Sequence, residues 1–209
     1  MTGASNFATA GLNLLNVSTS RTSANKSRRD RVMLTRENTA LIVVDIQGNL
    51  AWVMDDRTFL IENNQKLIRG MHVLGIPILI TEQNPLGATI PEIAELLPGV
   101  RAITKDAFSC CAEGKFMSAV LALNRRQILL TGIEAHVCVY QTAMDLLAMG
   151  YEVHLAADAV SSRTARNREI GIRKLIAAGA VLTSVEMALF ELLKTAADPK
   201  AKDIFKIIK

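Results

Sequence analysis

Three side chains in this sequence could share one reaction. Cys138 offers a thiol, Asp45 a carboxylate and Lys105 an ammonium group. A thiolate is a strong nucleophile, a carboxylate can take the thiol's proton, and a nearby cation stabilises the charges that form. Each residue closes a segment of strand character. Asp45 follows the apolar run TALIVV at 39–44, Lys105 follows VRAIT at 100–104, and Cys138 lies shortly after QILLT at 127–131 and Gly132. From Val139 the apolar positions Val139, Ala143, Leu146 and Met149 recur at helical spacing, with Gly150 placed to end the helix. Cys138 is therefore expected in a helix's first turn, where free N–H groups and the dipole favour a thiolate. A free thiol titrates near ~8.5, and such a position can lower that value. Taken alone, each residue has a plainer reading: Cys138 as small buried filler, Asp45 as a helix cap, Lys105 as a solvated loop residue. Their joint occurrence at strand ends makes the case for chemistry.

The elements that position them alternate regularly. A helix is expected over 57–74, ended by Gly75, and a strand PILIT over 77–81. A loop with Asn-Pro and Gly covers 83–89, a short helix 91–97 and a helix about 113–123. Further strands fall at 152–157, ending in Asp158, and at 180–182. Ser161, Ser162 and Thr164 are candidate caps for a helix reaching Ala178, and Thr183 to Glu186 has capping-box spacing before a helix to about Leu193. Asp158 reads as a structural cap. Asp198-Pro199 breaks the chain before an amphipathic tail, expected to dock on the domain or on a neighbouring subunit. Six apolar strands alternating with helices imply an α/β fold: a three-layer, doubly wound, six-stranded parallel sheet with helices on both faces. Ligands in such sheets bind beyond the carboxyl ends of the strands, near the switch in strand order, and all three reactive residues lie on that edge.

Composition sets further bounds. The 209 residues include three cysteines without framework spacing, which fits free thiols in a reducing compartment and a cytoplasmic location. No apolar run approaches the ~20 residues of a membrane span. The net charge of +4 is localised: Arg21, Lys26, Arg28, Arg29, Arg31 and Arg36 precede Asn38 against only Asp30 and Glu37. The remaining 18 basic and 18 acidic side chains balance, which argues against a nucleic-acid surface. Residues 1–36, rich in Ser, Thr and basic residues, read as a disordered leader or extension ahead of a domain at 37–209. That leader also has the composition of a mitochondrial presequence, which would place the protein in mitochondria; an upstream extension before Met33 and a segment added in cloning are the alternatives.

Three blocks carry a family resemblance. VVDIQ at 43–47, ITKDAFS at 103–109 and LLTGIEAHVCVYQTA at 129–143 resemble the signature blocks of the isochorismatase-like cysteine hydrolases, in the family's order, over roughly residues 38–195. The resemblance implies a triad of Asp45 as base, Lys105 as electrostatic partner and Cys138 as nucleophile. It also implies a non-proline cis peptide between Ile133 and Glu134, and an oxyanion hole from the backbone N–H groups of Glu134 and Cys138. The implied chemistry is C–N bond hydrolysis through a thioester on a small metabolite, with enol-ether hydrolysis or a catalytically idle scaffold as alternatives. A homo-oligomer, dimer or tetramer, is implied as well. No cofactor is expected. The nicotinamidase branch carries metal-binding histidines after strand two, whereas here that stretch is TEQNPLGATIPEIAE, and the three histidines are His72, His136 and His154. No metal site is therefore expected. Gln47, Trp52, Glu82, Gln83, Phe108 and His136 are the candidate pocket residues, since they leave the same sheet edge. Leu50 lies on one of those segments too. The neighbouring Cys110 and Cys111 are read as packing. No G-x-G-x-x-G follows the first strand, and Cys138 lacks the glycines of a nucleophile elbow, so dinucleotide-binding and α/β-hydrolase readings fall away.

Overall fold

The architecture follows from where the apolar runs fall. A computed structural model describes Met1 and residues 33–209. The leader assigned to residues 1–36 lies mostly outside the described residues. Leu34–Lys209 fold as one unit, three residues longer at its start than the boundary at 37. Leu34 is buried, its amide bonds Glu191, and Arg36 pairs with Asp198 at 2.8 Å. These anchors are long-range polar contacts that a local reading of residues 34–36 cannot see.

Six strands form the central sheet: β1 Thr39–Val44, β2 Ile78–Gln83, β3 Ile103–Lys105, β4 Gln127–Ile133, β5 Glu152–Ser161 and β6 Val181–Thr183. All pairings are parallel and the order is β3-β2-β1-β4-β5-β6. The helices are α1 Gly48–Trp52, α2 Arg57–Leu74, α3 Pro91–Ala94, α4 Gly114–Ala122, α5 Cys138–Ala148, α6 Ala165–Ala177, α7 Val185–Leu193 and α8 Ala201–Ile208. Every residue of β1 and β4 is buried, as expected for strands covered on both faces. Alternate β1 residues serve opposite cores. Leu41 and Val43 pack with α2, α7 and α8, while Ala40, Ile42 and Val44 pack with α4, α5 and α6.

Several boundaries move. β3 begins at Ile103, because Val100 belongs to the turn after α3 and bonds back to Leu97. The regular helix at 91 ends at Ala94. β5 runs on to Ser161, past Asp158, across an irregularity in its pairing with β4. Asp158 is thus inside a strand, yet it still caps: its carboxylate accepts the Val185 amide, at 2.9 and 3.1 Å to its two oxygens, at the start of α7. The cap of α7 itself is Ser184, which accepts from the Met187 amide, and not Thr183. Thr164 caps α6. The amphipathic tail docks on its own domain, where Ala201 and Ile204 of α8 are buried against α2 and α7. Among the described residues no helix is long and apolar enough to cross a membrane.

Candidate active site

Strand order decides where the site sits. The order reverses between β1 and β4, and these two strands end in Asp45 and in the turn leading to Cys138. A crevice at such a switch point is the usual ligand position in open parallel sheets. Two glycines permit the close packing there. Gly132, at φ 110°, faces Val44, and a Cβ on it would lie 2.0 Å from the Val44 carbonyl oxygen. Gly48 presses equally close against Leu86 O, which seats the 84–89 loop on the start of α1.

Asp45 leaves β1 at φ 51°, a left-handed conformation that aspartate tolerates better than most residues. Its carboxylate is nearly fully buried, with one oxygen accepting from Thr81 Oγ1 at 2.7 Å and the other 2.8 Å from Lys105 Nζ. Lys105 is 2% exposed. It starts two strands away, roughly 10 Å at ordinary strand spacing, so a long side chain is needed to cross the end of β2. On the way it donates to Gln83 Oε1 at 2.7 Å and to the Ala107 and Phe108 carbonyls at 3.2 Å each. A buried charge is tolerated only when paired and hydrogen-bonded, and this ammonium meets both conditions.

Cys138 is the first residue of α5 and is 8% exposed. The dipole argument for a lowered thiol pKa is overturned. Burial pushes the thiol up to about 12; the Asp45 charge and a hydrogen bond to Asp45 add to this, and Lys105 offsets only part. The resting sulfur is therefore a thiol held against a carboxylate. Cys110, fully buried, has its sulfur 3.7 Å from Thr81 Oγ1, the hydroxyl that bonds this carboxylate, and its amide bonded to Thr142 of α5. Burial raises its thiol to about 11.

The turn between β4 and α5 contains a cis peptide at Ile133-Glu134. Among the described residues, the amides of Glu134 and Cys138 donate to no backbone carbonyl, whereas Ala135 N bonds Ser161 O and Val137 N bonds Glu134 O. Two unengaged donors beside a thiol can receive a developing negative oxygen.

The candidate pocket residues separate into groups. Gln83 joins the cluster through Lys105. Gln47 is buried and ties loops together: its amide donates to the Gln83 and Gly87 carbonyls and accepts from Gln83 N. Glu82 accepts both the amide and hydroxyl of Thr89. Trp52 is exposed with the Arg57 guanidinium 5.7 Å from its ring centroid. Phe108 is exposed beside Lys105, touching it through its carbonyl. His136 Nδ1 lies 2.9 Å from Ser162 Oγ. Thr81 escaped the sequence reading, because a threonine within a strand carries no signal beyond β propensity. Arg163, which pairs with the Glu134 side chain, escaped it for the same kind of reason: it precedes a helix whose cap is its neighbour. His72 bonds the Leu96 carbonyl, and His154 is fully buried in β5. Among the described residues no three or more His, Cys, Asp or Glu are grouped to hold a metal ion.

Comparison with known proteins agrees with this fold. The isochorismatase domain profile matches residues 39–187, and the chain belongs to the isochorismatase family. A secreted isochorismatase effector of Phytophthora sojae is 36% identical over 84% of this chain and 87% of its own length. The isochorismatase domain-containing protein 2 of Danio rerio is 34% identical over 84% of this chain and 89% of its own. Among solved structures, the MAR1 ribonuclease of Caenorhabditis elegans superposes with a TM-score of 0.80 at 35% identity, covering 84% of this chain and 92% of that one.

Proposed function

We propose that this hydrolase-family protein cleaves a C–N bond of amide type in a small metabolite, with Cys138 as nucleophile, Asp45 as general base and acid, and Lys105 as fixed cation. The observation that carries the reading is the buried contact set around Asp45, Lys105 Nζ at 2.8 Å and Thr81 Oγ1 at 2.7 Å, with Cys138 near enough for the Asp45 charge to raise its thiol. A thiol raised to about 12 has almost no free thiolate near neutral pH, so its proton must pass to a group inside the site as sulfur attacks. Asp45 is that group, and Lys105 keeps it from leaving its position.

The steps follow from this geometry. The thiol proton moves to Asp45 while Sγ bonds to the carbonyl carbon. The carbonyl π electrons move to oxygen, which the Glu134 and Cys138 amides receive. Collapse of the tetrahedral adduct breaks the C–N bond, and Asp45 returns the proton to the leaving nitrogen. Water, losing its proton to Asp45, then cleaves the thioester; the carboxylic acid leaves and the thiol is restored. No step needs a metal or a cofactor. The homo-oligomer that the resemblance implies is part of this proposal; light scattering of the purified chain reports it.

The test is intact-mass spectrometry after mixing with a panel of small amides and their activated esters. A mass increase equal to the acyl group, absent in Cys138→Ala, is the expected result. Turnover that persists in Cys138→Ala would sink the thioester mechanism. A second reading, RNA cleavage, draws on the Caenorhabditis elegans relative. The balanced charge of residues 39–209 disfavours it, since phosphate binding needs a cationic surface. Incubation with a labelled RNA separates the two: cleavage lost in Cys138→Ala would favour the second.

A further inference from the structure

The turn that supplies the two free amides is held from outside by the end of β5, the short connector after it and α6. Four contacts do this. Ala135 N donates to Ser161 O at 2.8 Å. His136 Nδ1 meets Ser162 Oγ at 2.9 Å. Glu134 Oε2 accepts from both the backbone N and the side-chain Nε of Arg163, at 2.9 and 3.2 Å. Gly171 of α6 backs the turn, and a Cβ there would come within 2.7 Å of Ala135 O. The asymmetry of the ion pair is informative. The Glu134 side chain is 8% exposed and the Arg163 side chain 61% exposed. A carboxylate is costly to bury, and an exposed ion pair contributes little stability by itself. Thr164, not Glu134, caps α6, so the carboxylate is not needed there. What Glu134 does contribute is direction: its own amide is one of the two free donors, and its side chain is fastened at the other end.

We infer that the Glu134–Arg163 pair is a clamp that aims the Glu134 and Cys138 amides at the oxygen of the substrate carbonyl, with Arg163 as a positioning residue. This rests on the thiol mechanism proposed above. The clamp differs from a general stabiliser in one respect: it affects only reactions that create an oxyanion. Alkylation of Cys138 by iodomethane creates none; the S–C bond forms, iodide leaves, and the thiol proton goes to Asp45. Addition of butanal does create one; the S–C bond forms, the carbonyl π electrons move to oxygen, and the thiol proton goes to Asp45, which leaves a hemithioacetal oxyanion facing the two amides. A small misalignment of donors weakens the second process and not the first.

The experiment compares wild type, Arg163→Ala, Glu134→Ala and Glu134→Gln, with circular dichroism to show that each is folded. The iodomethane rate at Cys138 in Arg163→Ala is expected within about twofold of wild type, while butanal affinity falls by about tenfold or more. Glu134→Gln, which keeps an acceptor for the Arg163 amide, should fall between wild type and Glu134→Ala in butanal affinity. Unchanged butanal affinity in both alanine variants overturns the clamp. So does a parallel fall of both readouts in Arg163→Ala, which marks general loosening. If wild-type Cys138 alkylates no faster than Cys111, the thiol mechanism itself fails and takes this inference with it.

Discussion

Val44 and Gly132 face each other across β1 and β4 at a separation that leaves no room for a single additional carbon, since a Cβ on Gly132 would lie 2.0 Å from the Val44 carbonyl oxygen. The next residue after Val44 is Asp45, and the turn after Gly132 leads to Cys138. One backbone contact therefore sets how near the carboxylate and the thiol can come.

Gly132→Ala is expected to destabilise the fold by at least about 3 kcal/mol, combining backbone strain at φ 110° with the clash. Gly179→Ala is the control. Gly179 has φ 106° but open space around its Cβ position, so it loses only the backbone part. Urea unfolding of both variants measures the difference. Equal losses would remove the close approach from the account.

The second prediction concerns pH. If Cys138 ionised only to solvent, its alkylation rate would climb about tenfold per pH unit up to about 12. Proton transfer to Asp45 makes the rate flat between about pH 6 and 9 instead. In Asp45→Asn the acceptor is gone, so the rate should rise with pH. Its inflection should fall below that of the wild-type thiol, because Lys105 remains while both effects of the Asp45 charge are lost. Hydrolytic turnover should disappear in the same variant, for lack of a proton donor to the leaving nitrogen. A steep wild-type profile across that range would refute the internal transfer.

Lys105→Met strands the Asp45 carboxylate in a nearly water-free site. Breaking one side of a buried pair costs about 3–5 kcal/mol. The double variant Asp45→Asn with Lys105→Met should recover much of that loss, because neither charge is then buried alone. Thermal and urea unfolding of the cycle report the coupling, and additive losses would show that the two groups are energetically independent.

His154, buried in β5, is expected to make the fold acid-sensitive. Neither ring nitrogen has a hydrogen-bond partner among the described residues, and burial lowers its pKa to about 4. The unfolded chain protonates this ring below its usual ~6.5 while the folded chain does not. Stability from the neutral ring is thus full above about pH 6.5 and is lost as pH falls toward 4, by roughly 3 kcal/mol in total. His154→Leu should flatten that part of the urea-midpoint profile relative to wild type. Identical profiles for the two would contradict the assignment.

Much of this was legible from short-range pattern. The runs 39–44 and 127–131 read as doubly covered strands because every residue in them except Gln127 is apolar or a good strand former, and burial of β1 and β4 is complete. Gly75 and Gly150 marked helix ends, and both take positive φ. Asp158 was readable as a capping acceptor but not as the one that takes the first amide of a helix 27 residues further on. Gln47 and Glu82 were readable as polar residues on the right edge, yet their side chains are used to tie the 84–89 loop to the start of α1 and to β2.

Residue types, apolar periodicity and punctuation by glycine and proline determined the layer architecture and the edge of the sheet on which Asp45, Lys105 and Cys138 lie. These are local properties, because a side chain's preference for strand, helix or turn depends on its near neighbours in the chain. Tertiary structure alone decided three things. It chose the strand order that sets β1 beside β4 and leaves Lys105 to reach across β2. It brought Thr81 to the Asp45 carboxylate, Gln83 to the Lys105 ammonium and Cys110 to Thr81. It turned a thiol expected to ionise easily into one held protonated near 12. The physical reason is common to all three: desolvation and charge coupling are sums over atoms brought together from distant segments, and no stretch of sequence contains those sums.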